Sequence, residues 1–324
     1  MKKIALITSG GDSPGMNACV RAIVKTAIHY NIVPFGIYDG FQGMIEQRGI
    51  ELNYQDVDNI IYRGGTILGT ARSEEFRTKE GRLKAIEYLK KEAVDGLIVI
   101  GGDGSFKGAH VLGKEMNIPI IGIPGTIDND IFGTDHTIGY DTALNTVIEA
   151  VDKIRDTASS HHRVFFVEVM GRNAGFIALN SAIASGAESV LIPEEVTDIE
   201  KLADQIKNQN KGRRSTIIIV AEGDDKGGAK EITEQITPLL PNYNVRYSIL
   251  GHLQRGGSPS AVDRIIATRM GSYAVELLLD KKSNLMVGIF GDKLKTCSIY
   301  KSIKEHALPE LTKLDLLEKL RTSK

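Results

Sequence analysis

A chain of 324 residues exceeds the usual span of one hydrophobic core, so length alone predicts two lobes with a cleft where they meet. Its 42% hydrophobic content contains no apolar run near the ~20 residues that cross a bilayer, which argues against a membrane protein. A formal net charge of −1 offers no basic surface to displace counterions and argues against a nucleic-acid partner, so any anion site has to come from local clustering.

Met1-Lys2-Lys3 runs straight into Ile4–Thr8 and a glycine-rich turn. That pattern suits a first buried strand better than a signal-peptide core and places the protein in the cytoplasm. Further short apolar runs follow at Val33–Tyr38, Leu97–Ile100, Pro119–Ile123, Val164–Met170, Val190–Pro193, Thr216–Ala221, Val245–Leu250 and Val287–Phe290. They read as buried parallel strands. Between them lie amphipathic helical segments such as Thr142–Thr157, Asp198–Gln209 and Ser260–Leu279. The alternation predicts an α/β fold with mainly parallel sheets and helices on both faces: two Rossmann-like three-layer α/β/α lobes, with the active site in the cleft between them. Cys19 and Cys297 are far apart and have no Cys or His at metal-ligand spacing, so neither a disulfide framework nor a zinc site is indicated.

In open α/β sheets ligands bind beyond the carboxyl ends of strands, and here the loops after strands carry the chemistry, all on one edge. Gly10-Gly11 and Gly101-Gly102-Asp103-Gly104-Ser105 each sit between an apolar run and a helix. Glycines there let backbone N–H groups approach phosphate oxygens at a helix N-terminus. A tight turn explains one such pair; two of them favour a phosphate cradle. Neither matches the P-loop or a full dinucleotide fingerprint. Asp103, among glycines, suits Mg²⁺, which takes one or two carboxylates together with phosphate oxygens and water.

Thr126-Ile127-Asp128-Asn129-Asp130 places two carboxylates and a hydroxyl after a strand, with no hydrophobic reason to be there. One carboxylate can act as base in phosphoryl transfer, where the loose transition state tolerates ordinary basicity. In an extended segment, side-chain alternation sends Asp128 and Asp130 to different neighbours. Arg72, Arg163, Arg172, Arg246 and Arg255 lie near strand ends or glycine-rich turns, and guanidinium forks bind phosphate bidentately. His252 and Arg255 within Gly251-His252-Leu253-Gln254-Arg255-Gly256-Gly257 make a further anion pocket, and Glu222 is a candidate acceptor for sugar hydroxyls.

In this order the stretches resemble the bacterial ATP-dependent 6-phosphofructokinases, from Met1 to about Phe290. The resemblance implies phosphorylation of fructose 6-phosphate to fructose 1,6-bisphosphate with release of ADP, the committed step of glycolysis. It implies that Gly11, Arg72, Ser73, Gly102, Asp103, Gly104 and Ser105 bind ATP, with Asp103 on Mg²⁺. Asp128 is then the catalytic base, with Thr126, Asp130 and Gly11 around the transferring group and Arg72 and Arg172 stabilising it. Fructose 6-phosphate is held by Thr126, Ile127, Asp128, Met170, Gly171, Arg172, Glu222, His252, Leu253, Gln254 and Arg255, with Arg163 and Arg246 reaching in from a neighbouring subunit of a homotetramer. The implied lobes are 1–138 with 252–303 for ATP and 139–251 with 304–324 for the sugar phosphate.

The resemblance also implies an effector site for ADP or phosphoenolpyruvate, matched by Arg21, Lys25, Arg155, Gly186, Glu188, Lys211, Arg213 and Arg214. Tyr54, Asn59 and Ser215 stand where well-known bacterial members have Arg, Asp and His, which removes charge and predicts weakened or altered effector binding. Gly104 and Gly125 favour ATP over pyrophosphate, whereas Gly171-Arg172-Asn173-Ala174-Gly175-Phe176 is closer to many pyrophosphate enzymes. A pyrophosphate-dependent phosphofructokinase and a non-catalytic sugar-phosphate-binding regulator are the alternatives. A lipid or NAD kinase, prompted by Gly101-Gly102-Asp103-Gly104, leaves Thr126–Asp130 and His252–Gly257 unexplained.

Overall fold

The computed structural model describes residues 1–160, 163–209 and 215–321. Within them lie the strands β1 (Lys3–Ser9), β2 (Val33–Ile37), β3 (Gly49–Glu51), β4 (Gly96–Gly101), β5 (Ile120–Pro124), β6 (Arg163–Val169), β7 (Ser189–Leu191), β8 (Thr216–Ala221), β9 (Asn244–Ile249), β10 (Leu285–Phe290) and β11 (Lys293–Ser298). The helices are α1 (Met16–His29), α2 (Gly40–Ile45), α3 (Lys79–Lys91), α4 (Asp103–Met116), α5 (Tyr140–Ser160), α6 (Phe176–Ser185), α7 (Ile199–Gln209), α8 (Ala229–Ile236), α9 (Ala261–Leu279), α10 (Ile299–Lys304) and α11 (Thr312–Arg321). They group into two units. The first comprises Met1–Ile127, Ile131–Thr142 and Arg255–Ala307; the second comprises Asp128–Asp130, Ala143–Gln254 and the segment from Leu308 onward.

The first unit is built on a seven-stranded sheet in the order β11-β10-β5-β4-β1-β2-β3. Its strands pair in parallel except at the two edges, where β3 and β11 run antiparallel to their neighbours. Side chains alternate across the pleat, so one apolar run feeds two cores. Ile4 and Leu6 join Ile98, Ile100, Ile121 and Ile123 beneath α1 and α9. Ala5 and Ile7 join Leu97 and Val99 beneath α2, α3 and α4. This is the three-layer arrangement expected of such runs. Gly122 in β5 keeps α4 close: a Cβ there would meet the Phe106 ring at 2.7 Å, and Phe106 is the fully buried anchor of the helix that starts at Asp103.

The second unit has a four-stranded, all-parallel sheet in the order β7-β8-β6-β9. Val164, Phe166, Ile218 and Val220 pack there against Leu202 and Ile206 of α7 and Ile232 and Ile236 of α8. Helix α6 packs on β7 and β8, and α11 on α6, with Lys313 Nζ donating to Asn180 Oδ1 at 2.9 Å.

Asp263 secures the root of α5. It is 1% exposed and accepts the Gly139 N–H at 2.8 Å and both the N–H and hydroxyl of Thr142 at 2.8 and 2.5 Å. Burial pushes its carboxyl above the usual range, and these donors oppose the shift. Ser260 caps α9 by accepting the Asp263 N–H, and its own N–H donates to Thr142 Oγ1 at 2.9 Å.

The nine strands read from the sequence are all present and all pair in parallel; β3 and β11 are additional. The candidate loops correct the single-edge expectation, because they belong to two sheets. Three follow the adjacent strands β5, β4 and β1, and three follow the adjacent strands β8, β6 and β9. In the first sheet the strand order reverses at β1, which has β2 on one side and β4 on the other. A topological switch point of that kind is where open sheets bind ligands.

Candidate active site

In the first unit, the loops after β1 and β4 are tied together where Ser105 Oγ donates to Ser9 Oγ at 2.9 Å. Gly10 O accepts the Thr70 hydroxyl at 2.8 Å. A Cβ at Gly11 would lie 2.5 Å from Arg255 Nη1, the mobile end of a side chain that donates to Asp12 O at 3.3 Å. Arg255, expected among the sugar-phosphate ligands, therefore lies against the glycine loop of the first unit.

Helix α4 starts at Asp103 with Gly102 as an N-cap that supplies no side chain, leaving N–H groups of its first turn available to an anion. Asp103 Oδ2 is 2.5 Å from Lys107 Nζ, and Asp103 Oδ1 is buried without a hydrogen-bond partner. An orphaned carboxylate oxygen at the start of a helix fits a hard divalent cation. No cluster of three or more His, Cys, Asp or Glu side chains suited to a metal occurs among the described residues. Gly104 faces open space, with nothing within 4 Å of where a Cβ would sit, whereas a Cβ at Gly125 would meet Ile100 and Met16 at 3.1 Å. Ser73 Oγ donates to Gln42 Oε1 at 2.6 Å and accepts the Phe76 N–H, and Arg72 beside it is exposed.

The stretch 126–130 departs from the extended form expected of it. The chain bends at Ile127 and Asp128, and Asn129 takes a left-handed φ of 56°, a region in which Asn is enriched. The bend, and not strand alternation, sets the directions of Asp128 and Asp130. Thr126 O accepts the Thr137 hydroxyl at 2.6 Å, Ile127 is fully buried and Asp128 is 1% exposed.

In the second unit Asp128 Oδ2 lies 3.3 Å from Arg172 Nε. Arg172 follows Gly171 (φ 138°) and itself has a φ of 53°, a strained conformation for a residue with a side chain. Glu222 Oε1 accepts the Arg172 N–H at 2.8 Å, and Gly223 packs so closely on the Arg172 carbonyl that no Cβ fits. Gln254 is fully buried; its Oε1 accepts the Met170 N–H at 3.1 Å while its Nε2 donates to Gly251 O at 3.0 Å. The loops after β6 and β9 are thereby fixed together, leaving His252 and Leu253 exposed.

Arg163 and Arg246 are not at this edge. Arg163 opens β6, level with Asn244, and Arg246 pairs in register with Phe165. At roughly 3.3 Å per residue, the seven-residue strand puts Arg163 about 23 Å from Met170 within one copy of the chain. Arg163 Nε is buried without a partner, while Arg246 is exposed.

The effector-site expectations fall into two groups. On α1, Lys25 Nζ pairs with Asp58 Oδ1 at 2.8 Å and lies 4.3 Å from the centre of the Tyr54 ring, and Arg21 Nε is buried without a partner. In the second unit, Arg155 donates to Ser185 O and Gly186 O at 3.0 Å, capping α6, and lies 3.4 Å from Glu188 Oε1. Glu188 Oε2 in turn accepts the Ile217 N–H. Lys211, Arg213 and Arg214 lie outside the described residues.

Two residues escaped the sequence reading. Asp263 was announced by the capping pattern Ser260-Ala261-Val262-Asp263. Glu194, which accepts the Gly175 N–H at 2.9 Å, carries no local signal because its partner is 19 residues away.

The family described as Phosphofructokinase matches residues 3–278, most of the chain. The chain belongs to the phosphofructokinase family. Among its relatives, the ATP-dependent 6-phosphofructokinase 2 of Bacteroides thetaiotaomicron is 52% identical over 305 residues, 94% of each chain. The ATP-dependent 6-phosphofructokinase of Cytophaga hutchinsonii is 50% identical over 321 residues, 99% of this chain and 98% of that one. The solved phosphofructokinase of Saccharomyces cerevisiae superimposes with a TM-score of 0.89 at 38% identity over 99% of this chain, which spans only 47% of the yeast chain's length.

Proposed function

We propose that this phosphofructokinase transfers the terminal phosphoryl group of ATP to fructose 6-phosphate, giving fructose 1,6-bisphosphate and ADP in the committed step of glycolysis. The observation that carries the reading is Asp128: a buried carboxylate placed after a strand end, oriented by the Arg172 guanidinium, where no packing need accounts for it. Relatives named ATP-dependent 6-phosphofructokinase, half identical over nearly the whole chain, support the choice of donor and acceptor.

In this reading Gly11, Arg72, Ser73 and the 102–105 turn bind the ATP phosphates through backbone N–H groups and the α4 N-terminus. Asp103 holds Mg²⁺, which when bound neutralises charge on the donor phosphates. Asp128 takes the proton of the attacking sugar hydroxyl as the new P–O bond forms and the bond to ADP breaks. The transition state is loose, so the proton leaves late and an Asp suffices as base. Thr126 and Asp130 flank the reacting groups, and Arg72 and Arg172 balance charge on the equatorial oxygens. Met170, Gly171, Glu222, His252 and Arg255 orient the sugar phosphate, together with Ile127, Leu253 and Gln254 in their loops.

A pyrophosphate donor is the second reading, favoured by the Gly171–Phe176 stretch; the open space at Gly104 favours ATP. A coupled assay with fructose 6-phosphate and Mg²⁺ separates them. Saturable turnover with ATP and only background with pyrophosphate is expected; the reverse overturns the donor assignment, and binding without product favours a non-catalytic regulator.

Arg163 and Arg246 serve the 6-phosphate of a neighbouring subunit in a cytoplasmic homotetramer, consistent with Arg163 opening β6 and Arg246 standing in the first half of β9. Arg246→Ala then raises the KM for fructose 6-phosphate about tenfold while leaving kcat within about twofold, because this phosphate does not react. Steady-state kinetics with the sugar phosphate varied checks it.

Effector control is weakened. Lys25 already has Asp58 and the Tyr54 ring as partners, and Arg155 already caps α6. Titration with ADP or phosphoenolpyruvate is expected to change the KM for fructose 6-phosphate by less than about twofold; strong activation by ADP contradicts this.

A further inference from the structure

The loop 171–175 holds Arg172 against Asp128, and it is anchored by a carboxylate at each end. Glu222 Oε1 accepts the Arg172 N–H at the front, and Glu194 Oε1 accepts the Gly175 N–H at the back. Between the anchors the Ala174 N–H donates to Gly171 O at 3.0 Å. A residue with a side chain at a φ of 53° keeps that conformation only while its surroundings over-determine it. Both anchors are therefore part of what holds Arg172.

The Glu194 anchor is built into the fold. Gly175 is the N-cap of α6 and brings no side-chain cap, and the first turn of α6 contains no acidic residue, so Glu194 supplies negative charge to that helix end from a distant segment. Glycine is required at 175 for the approach: a Cβ would lie 2.6 Å from Glu194 Oε2 and 2.7 Å from Ile192 Cβ. Glu194 Oε2 is buried and has no hydrogen-bond partner. A carboxylate kept in that position for a single backbone contact costs desolvation that helix capping by a local Ser or Asp would avoid.

The geometry assigns Glu194 as a positioning residue for phosphoryl transfer: it fixes the loop 171–175 so that the Arg172 guanidinium stays at Asp128. It touches neither substrate and acts through Arg172. The assignment rests on the phosphotransfer reading, which wild-type turnover of fructose 6-phosphate tests first and separately.

The decisive experiment is a double-mutant cycle. Glu194→Met, which keeps volume but removes the acceptor, is expected to lower kcat about tenfold with the KM for ATP within about twofold of wild type. Glu194→Gln, whose amide oxygen still accepts the Gly175 N–H, is expected to retain at least about half of kcat. In an Arg172→Ala background Glu194→Met should change kcat by less than about twofold. An equal tenfold loss in that background, or no loss in the wild-type background, overturns the assignment. Should Glu194→Met not fold, Glu194→Asp, one methylene too short to reach Gly175, takes its place in the cycle with the same expected outcomes. Absence of turnover in the wild-type enzyme overturns the phosphotransfer reading instead.

Discussion

Asp128→Asn is expected to lower kcat by about 10²–10⁴ while leaving the affinity for fructose 6-phosphate within a few-fold, the usual loss when a positioned base is removed. The two side chains have nearly the same shape, so the bend at residues 127–128 and the left-handed Asn129 survive the change. What disappears is the capacity to accept a proton. Asp128 is 1% exposed, so bulk water has little access to take over as base. Calorimetric binding of the sugar phosphate alongside steady-state kinetics checks the two halves of the expectation. Turnover within a few-fold of wild type would mean that another group removes the proton.

Arg172→Ala should lower kcat by about 10²–10³, the range seen when one preorganised donor to a developing charge is removed. Its effect on stability should be small. The Arg172 side chain is 57% exposed, so solvent screens its pair with the buried Asp128 and its contribution to stability is modest. Removing the guanidinium also leaves the Glu222 contact intact, because that bond uses the Arg172 backbone N–H. A melting temperature within about 3 °C of wild type, together with the large loss of turnover, separates a chemical role from a structural one. A large fall in melting temperature with kcat unchanged would reverse the interpretation.

β4, β5 and β8 were legible because each is an uninterrupted apolar run buried along its whole length, whereas β9 is largely exposed; the candidate loops were legible because glycine and aspartate follow such runs where a plain turn needs neither. β3 and β11 were not. The first is three residues long, and the second reads Lys-Leu-Lys-Thr-Cys-Ser, in which only Leu294 and Cys297 are partly buried, on opposite faces, so no alternation marks it. The bend at 127–130 hid because a left-handed Asn looks like any other Asn in sequence, and the surroundings that hold it there come from the fold. The partners of Arg255 and Glu194 were hidden for a related reason. Arg255 Nη1 donates to the Asp12 carbonyl and Glu194 accepts a backbone N–H 19 residues away, and no local pattern reports contacts of that kind. Arg163 and Arg246 were recognised as residues, but their place, at the start of β6 and in the first half of β9, became visible only through the register of the two strands.

The outermost strand of the large sheet has a bearing on how the protein behaves at high concentration. Lys293 and Lys295 project from β11 into water, with the Lys295 ammonium resting over the Phe290 ring. A foreign strand docking along that border would have to strip hydration from both ammonium groups, which discourages runaway β-stacking. A refolding chain is protected there by two cations.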